Sequence, residues 1–320
     1  MDYRKTMLAV WPAVLLASLA AAAERPSAGR QQAEAAKPKE KSQYLRLLRD
    51  AQNNPVALQA AIVRFAHKDR NHKGPTVDLV AAVHVAEKVY YNQLNRRFAQ
   101  YDAVLYELVA PKGAKIVSGQ TSGSPVSFLQ NAMKRMLELE FQLDSIDYSP
   151  ENLVHADMSP EQFAKSMQQR GESVTGMFLR MMGYAMARQH GSEKLNDGQL
   201  LLALLDKNRA LALKRILAEQ FEEMEGSLLA IDGPGGSTII SERNKVVMDV
   251  LRKQMAADKK AIAVFYGAGH MPDMQQRLCD EFGLTPIDTR WLDAWNLQSA
   301  AGGPGKQKAA TGDRAGKKDH

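Results

Sequence analysis

Ala261-Ile262-Ala263-Val264-Phe265-Tyr266-Gly267-Ala268-Gly269-His270 is an apolar run, β-branched and aromatic at its centre, that stops at a glycine-rich turn and a histidine. Ala261 to Tyr266 reads as a strand and Gly267 to His270 as a turn. Met271 to Phe282 follows as a helix, and Thr285 to Trp291 reads as a last strand. Strand, turn, helix and strand in that order build a βαβ-like unit whose crossover returns the chain parallel. Open α/β sheets place ligands at the carboxyl ends of such strands, so His270 stands at a candidate site edge.

The first half of the chain has the same plan. Ala57 to Phe65 reads as a strand and His67 to Gly74 as a polar turn. Thr76 to Val83 is a second strand, ending at His84. A helix is expected from about Ala86 to Gln100, then a strand over Ala103 to Val109, closing another βαβ unit. Ahead of these, Gln43 to Gln52 carries Tyr44, Leu47 and Leu48 at helical spacing behind Ser42, a candidate N-cap. Residues 121–257 are expected to be a mostly helical insertion, with a short strand at Asp144 to Tyr148. Within it, Ser159-Pro160-Glu161-Gln162 is a capping box with proline in the first turn. Met177, Met181, Met182 and Met186 form a stripe of helical period, Asp232 to Gly236 breaks the helices, and Ser241 begins a long helix through Lys253. The expected fold is therefore α/β: a mixed, largely parallel sheet built from two βαβ-like halves with the helical insertion between them.

The 320 residues carry a formal net charge of +6 and a pI near 9.2, which would suit a polyanion partner. Residues 43–302, however, hold 30 basic and 30 acidic side chains, so the excess belongs to the two ends. That placement, with no basic patch interleaved with aromatics, argues against a nucleic-acid binder. The lone Cys279 rules out a disulfide scaffold and a cysteine zinc cluster. Arg4 and Lys5, the apolar Met7 to Ala20, and Ala21-Ala22-Ala23 read as a signal peptide over residues 1–23, giving a secreted or periplasmic protein. Membrane contact would then come only through that segment if it stays uncleaved. Residues 24–42 read as a flexible linker, 43–300 as the α/β domain, and 301–320 as a disordered basic tail.

Three polar groups carry the chemistry. His84 and His270 end matched strands, and Glu107 lies inside the apolar Val104-Leu105-Tyr106-Glu107-Leu108. A carboxylate in an apolar strand needs a cation or hydrogen bonds to offset its desolvation. Two imidazoles and a carboxylate at one sheet edge could hold a divalent metal with an open position, or activate water directly. Gly267 and Gly269 would let a substrate or metal approach the backbone.

These residues resemble the TraB/PrgY/GumN family, which is related to the TIKI metalloproteases and more distantly to ChaN-like and erythromycin esterase proteins. The resemblance spans roughly residues 60–295 and rests on a pair of G-x-x-H motifs with an acid between them. Gly267-Ala268-Gly269-His270 matches the second motif; Ala81-Ala82-Val83-His84 matches the first except that Ala81 replaces its glycine. Glu107 matches the acid, and Arg243 in Ser241-Glu242-Arg243-Asn244 matches a later arginine. The resemblance implies a hydrolytic site at the strand ends, metal-dependent with manganese, cobalt or zinc in one branch, without a metal requirement in another. His84 and His270 would be ligands or water-positioning bases and Glu107 a ligand or general base. Arg243 would anchor Glu107 or stabilise an oxyanion. The implied substrate is a peptide or small molecule. A non-catalytic exported module that binds a peptide, haem or metal is the competing class.

Other candidates have simpler readings. His155-Ala156-Asp157 could lend an imidazole or carboxylate, or be a satisfied loop histidine and a turn aspartate. His67 and His72 flank a charged turn, Glu87 suits a helix start, and Glu242 reads as a solvated first-turn acid. No G-x-S-x-G elbow and no P-loop lysine occurs.

Overall fold

The computed structural model describes residues 44–69, 74–111, 113–114, 136–173, 176, 197–219 and 235–299. The signal, linker and tail expectations, His72, the methionine stripe and part of the helical insertion lie outside the described residues.

Seven strands form one sheet: β1 (Leu45–Arg49), β2 (Pro55–His67), β3 (Thr76–Ala82), β5 (Ala103–Tyr106), β7 (Leu153–His155), β8 (Ala261–Gly267) and β9 (Leu284–Asn296). A separate two-stranded ribbon joins β4 (Val85–Ala86) to β6 (Glu140–Phe141). From one side the main sheet runs β9, β2, β3, β8, β5, β7. β1 pairs with the first half of β2, on the same edge that β3 takes further along. β2 is antiparallel to β1, β3 and β9, while β3, β8, β5 and β7 are mutually parallel, so β2 alone runs against the rest. The molecule is α/β with a mixed, largely parallel sheet, as the patterning predicts. Its two halves interleave, since β8 of the second half lies between β3 and β5 of the first.

The parallel strands are apolar on both faces because helices cover them. Leu79, Val104, Leu105, Val264 and Phe265 are fully buried, and Phe98 of α1 (Lys88–Phe98) packs its ring 4.9 Å from that of Phe265. Burying one such phenyl ring stabilises the fold by about 2 kcal/mol. The same helix grips the end of β3, where Tyr90 Oη donates to the Ala81 carbonyl (2.9 Å) and Tyr91 Oη to the Val83 carbonyl (2.8 Å). Both bonds fix the backbone just before His84.

Among the described residues the other helices include a single turn, α2 (Gln142–Ser145), then α3 (Pro160–Gln169), α4 (Asp197–Leu205), α5 (Arg243–Ala256) and α6 (Met271–Phe282), with residues 209–219 also helical. α3 starts as the sequence predicts: the Gln162 N–H donates to Ser159 Oγ and Gln162 Oε1 accepts from the Ser159 N–H. α5 is preceded by a π-helical turn, Thr238–Glu242, an irregularity common beside functional sites.

Four local expectations are corrected. Gln43 to Gln52 does not form a helix; Leu45 and Leu47 are buried in alternation with exposed Arg46 and Leu48, and pairing with β2 overrides the weak helical spacing. The strand expected at Asp144 to Tyr148 is instead the single turn α2, and the parallel strand comes later, at β7. The helix expected from Ala86 begins at Lys88, because Val85 and Ala86 are drawn into the ribbon with β6. The long helix expected from Ser241 becomes α-helical only at Arg243.

Candidate active site

The order β3, β8, β5, β7 brings four carboxyl strand ends side by side, and the polar groups of the sequence meet there. Gly267 is at their centre. A Cβ added to it would lie 3.0 Å from His84 Nε2, 3.3 Å from Glu107 Oε2 and 3.8 Å from His270 Cδ2. A side chain there would crowd His84 and Glu107, while His270 stands at ordinary contact distance. Its N–H donates to Glu107 Oε2 at 2.7 Å.

Arg243 leaves the first turn of α5 and meets Glu107, the partner expected for it, together with His270 and Asp157. Its Nη2 donates to Glu107 Oε1 at 2.6 Å, and its Nη1 lies 3.5 Å from His270 Nε2. The fork closes on Asp157, just past β7, through Nε to Oδ1 (2.9 Å) and Nη2 to Oδ2 (2.6 Å). Asp157 Oδ1 also accepts the Met158 N–H at 2.7 Å. All three charged side chains are buried. His270 Nε2 is 3.6 Å from Glu107 Oε1.

Asn244 sets the His270 tautomer. Its amide nitrogen donates to the His270 carbonyl (3.1 Å) and to Asp273 (2.7 Å), so its Oδ1 faces His270 Nδ1 at 2.7 Å. Nδ1 therefore carries the proton, and the Nε2 lone pair turns toward Arg243 and Glu107. Burial lowers the His270 pKa to about 4 against the pull of Glu107, and burial likewise lowers that of His84, so both imidazoles are neutral at pH 7. Burial would raise the Glu107 pKa, but Arg243, the two histidines and the Gly267 N–H hold it well below the usual carboxylate range. Burial disfavours the Arg243 charge, and Asp157 and Glu107 more than restore it.

His84 is half-buried, with its Nε2 buried. The β4–β6 ribbon lays Gln142 against it: the Gln142 N–H donates to the His84 carbonyl at 2.9 Å, and its Nε2 donates to Tyr148 Oη at 3.1 Å. Tyr266 closes the other wall, its hydroxyl bonded to the Ala156 carbonyl (2.5 Å) and its ring edge-on to His270 at 5.2 Å.

All four predicted site residues, His84, Glu107, Arg243 and His270, are brought together. Asp157 joins them as the second carboxylate on Arg243. His155 takes the simpler one, with Nε2 2.6 Å from the Leu108 carbonyl. Asn244 is missing from the predicted set, although it adjoins Arg243 in the same motif. Gln142 carries no sequence signal, because only the ribbon brings it to His84. Outside the cluster, Glu242 bonds Lys245 and Arg170, Glu87 pairs with Lys214, and His67 Nδ1 accepts the Asp69 N–H at the opposite edge of the sheet.

For a divalent metal, the donor chemistry of His84, Glu107 and His270 is suitable: two neutral imidazoles and an ionised carboxylate. The arrangement is not, because Arg243 already bonds the Glu107 oxygen and faces the His270 nitrogen that an ion would need. Among the described residues no group of three or more His, Cys, Asp or Glu side chains is placed to hold a metal ion. Searches for related proteins return no matching family model, curated protein or solved structure.

Proposed function

We propose that this protein is an exported hydrolase that cleaves peptide or amide bonds at the His84–Glu107–His270 centre. The observation that carries the proposal is the convergence on Gly267 of three polar side chains from strand ends far apart in sequence. His84, neutral and more exposed than His270, is the base we assign to the attacking water. Glu107 lies beside it as a fixed anion and stabilises the imidazolium that results. Arg243 keeps Glu107 ionised, and Asn244 keeps the His270 lone pair directed inward.

The test is a screen of the full chain against peptide, amide and ester substrates, with His84→Gln and Glu107→Gln compared at equal folded fraction. Loss of about 10²- to 10⁴-fold in kcat/KM in either variant supports the assignment. Turnover that survives both substitutions sinks it, and tight retention of a peptide without turnover favours the binding-module class.

A further inference from the structure

We infer that the Arg243 guanidinium is the resident cation of this centre and occupies the place that a divalent metal ion would take. The inference rests on reading the cluster as a functional centre, but its test requires no activity.

Glu107 Oε1 and His270 Nε2 are 3.6 Å apart, and an ion shared by them would approach each to about 2.0–2.2 Å. That gap is spanned by one side chain already. Arg243 Nη2 is 2.6 Å from the oxygen and Nη1 is 3.5 Å from the nitrogen. Because Asn244 fixes the proton on Nδ1, His270 Nε2 can only accept here, and the N–H it faces belongs to Arg243. The guanidinium cannot simply swing into solvent. Its side chain is 9% exposed, and its fork is clamped on the wholly buried Asp157 carboxylate. A divalent ion added at the same gap would lie within a few ångströms of that positive charge, at low dielectric. Once Arg243 is removed, Glu107 Oε1 and His270 Nε2 would face each other across 3.6 Å with no cation between them, a carboxylate–imidazole pair of the kind that attracts a transition metal.

The experiment measures metal directly on the tag-free full chain. Wild type, Arg243→Ala and Arg243→Lys are stripped with chelator, then titrated calorimetrically with Mn²⁺, Co²⁺ and Zn²⁺ and analysed for bound metal, with the Co²⁺ absorption spectrum recorded. Wild type and Arg243→Lys are expected to bind none at this centre, and Arg243→Ala to gain about one equivalent. Wild type holding one equivalent that is lost in His270→Gln or Glu107→Gln overturns the inference, and needs no arginine variant to fold. A folded Arg243→Ala that binds no metal overturns it as well.

Discussion

Two buried acid–arginine clusters lie at opposite edges of the same sheet. At the amino edge, Asp78 of β3 faces its cross-strand partner Arg64 of β2 through two bonds of 2.8 and 2.9 Å and accepts a third from Tyr101 Oη at 2.6 Å. Charges there match one to one, and the Arg64 side chain is 36% exposed. At the carboxyl edge, Arg243 serves two carboxylates, is itself buried, and confronts an imidazole lone pair. The first cluster closes a seam between strands. The second holds an unbalanced negative charge and two neutral imidazoles where strand ends meet a half-buried histidine. An acid paired with an arginine is common architecture. Excess acid, neutral imidazoles and a glycine where a side chain would crowd its neighbours are what distinguish a site from a seam.

Removing the two arginines should separate the clusters most sharply. Arg243→Met leaves two buried carboxylates without their cation, and the expected loss is about 3–5 kcal/mol, read as a fall in the urea midpoint. Adding Asp157→Asn to Arg243→Met should recover part of that loss, because one stranded charge is then gone. No recovery would mean that Asp157 is not ionised against Arg243 as the 2.6 Å contact implies.

The sheet was legible where composition is monotonous. Ala261–Gly267 is an apolar run and Thr76–Ala82 another broken only by Asp78, and a histidine stands within three residues of each end. β1 was misread because Tyr44, Leu47 and Leu48 mimic a helical stripe while Leu45 and Leu47 alternate, and only pairing with β2 decides between the periods. Within the site, Glu107 announced itself as a charge in an apolar run, and it stands just past β5, which ends at Tyr106 rather than at the expected Val109. Asp157 gave a weaker signal, since an aspartate after a strand and before an N-cap also suits an ordinary turn. Asn244 acts through two hydrogen bonds at His270 and Gln142 through one at His84, distant in sequence, and such pairings have no local pattern.

Acid should also tell the two edges apart. His270 is held neutral, with its pKa at about 4 when folded against 6.5 as a model group. As pH falls through 6.5 the unfolded chain takes up a proton that the folded chain refuses until about pH 4. Stability is therefore lost progressively over that window, by about 3 kcal/mol for this group. His84 adds a loss in the same direction, and Glu107 adds one below 4.5 because its folded pKa is depressed. His270→Gln should flatten the fall in the urea midpoint between pH 7 and pH 4.5. An unchanged slope would place the titrating groups elsewhere.

The smallest effect belongs to the amino edge. Arg64→Met breaks two charge-assisted bonds to Asp78, but the departing side chain is already over a third exposed, water can enter behind it, and Tyr101 keeps its own bond to the carboxylate. The expected cost is about 1–2 kcal/mol, well below that of Arg243→Met. Hydrolytic turnover, once a substrate is in hand, should not change, because Arg64 and Asp78 brace the opposite end of β3 from His84 and touch none of the groups around Gly267. A loss of stability as large as that at Arg243 would show that the seam is as tightly desolvated as the site. A loss of turnover at full stability would show that the sheet transmits strain along β3 to His84, and the division between seam and site would have to be redrawn.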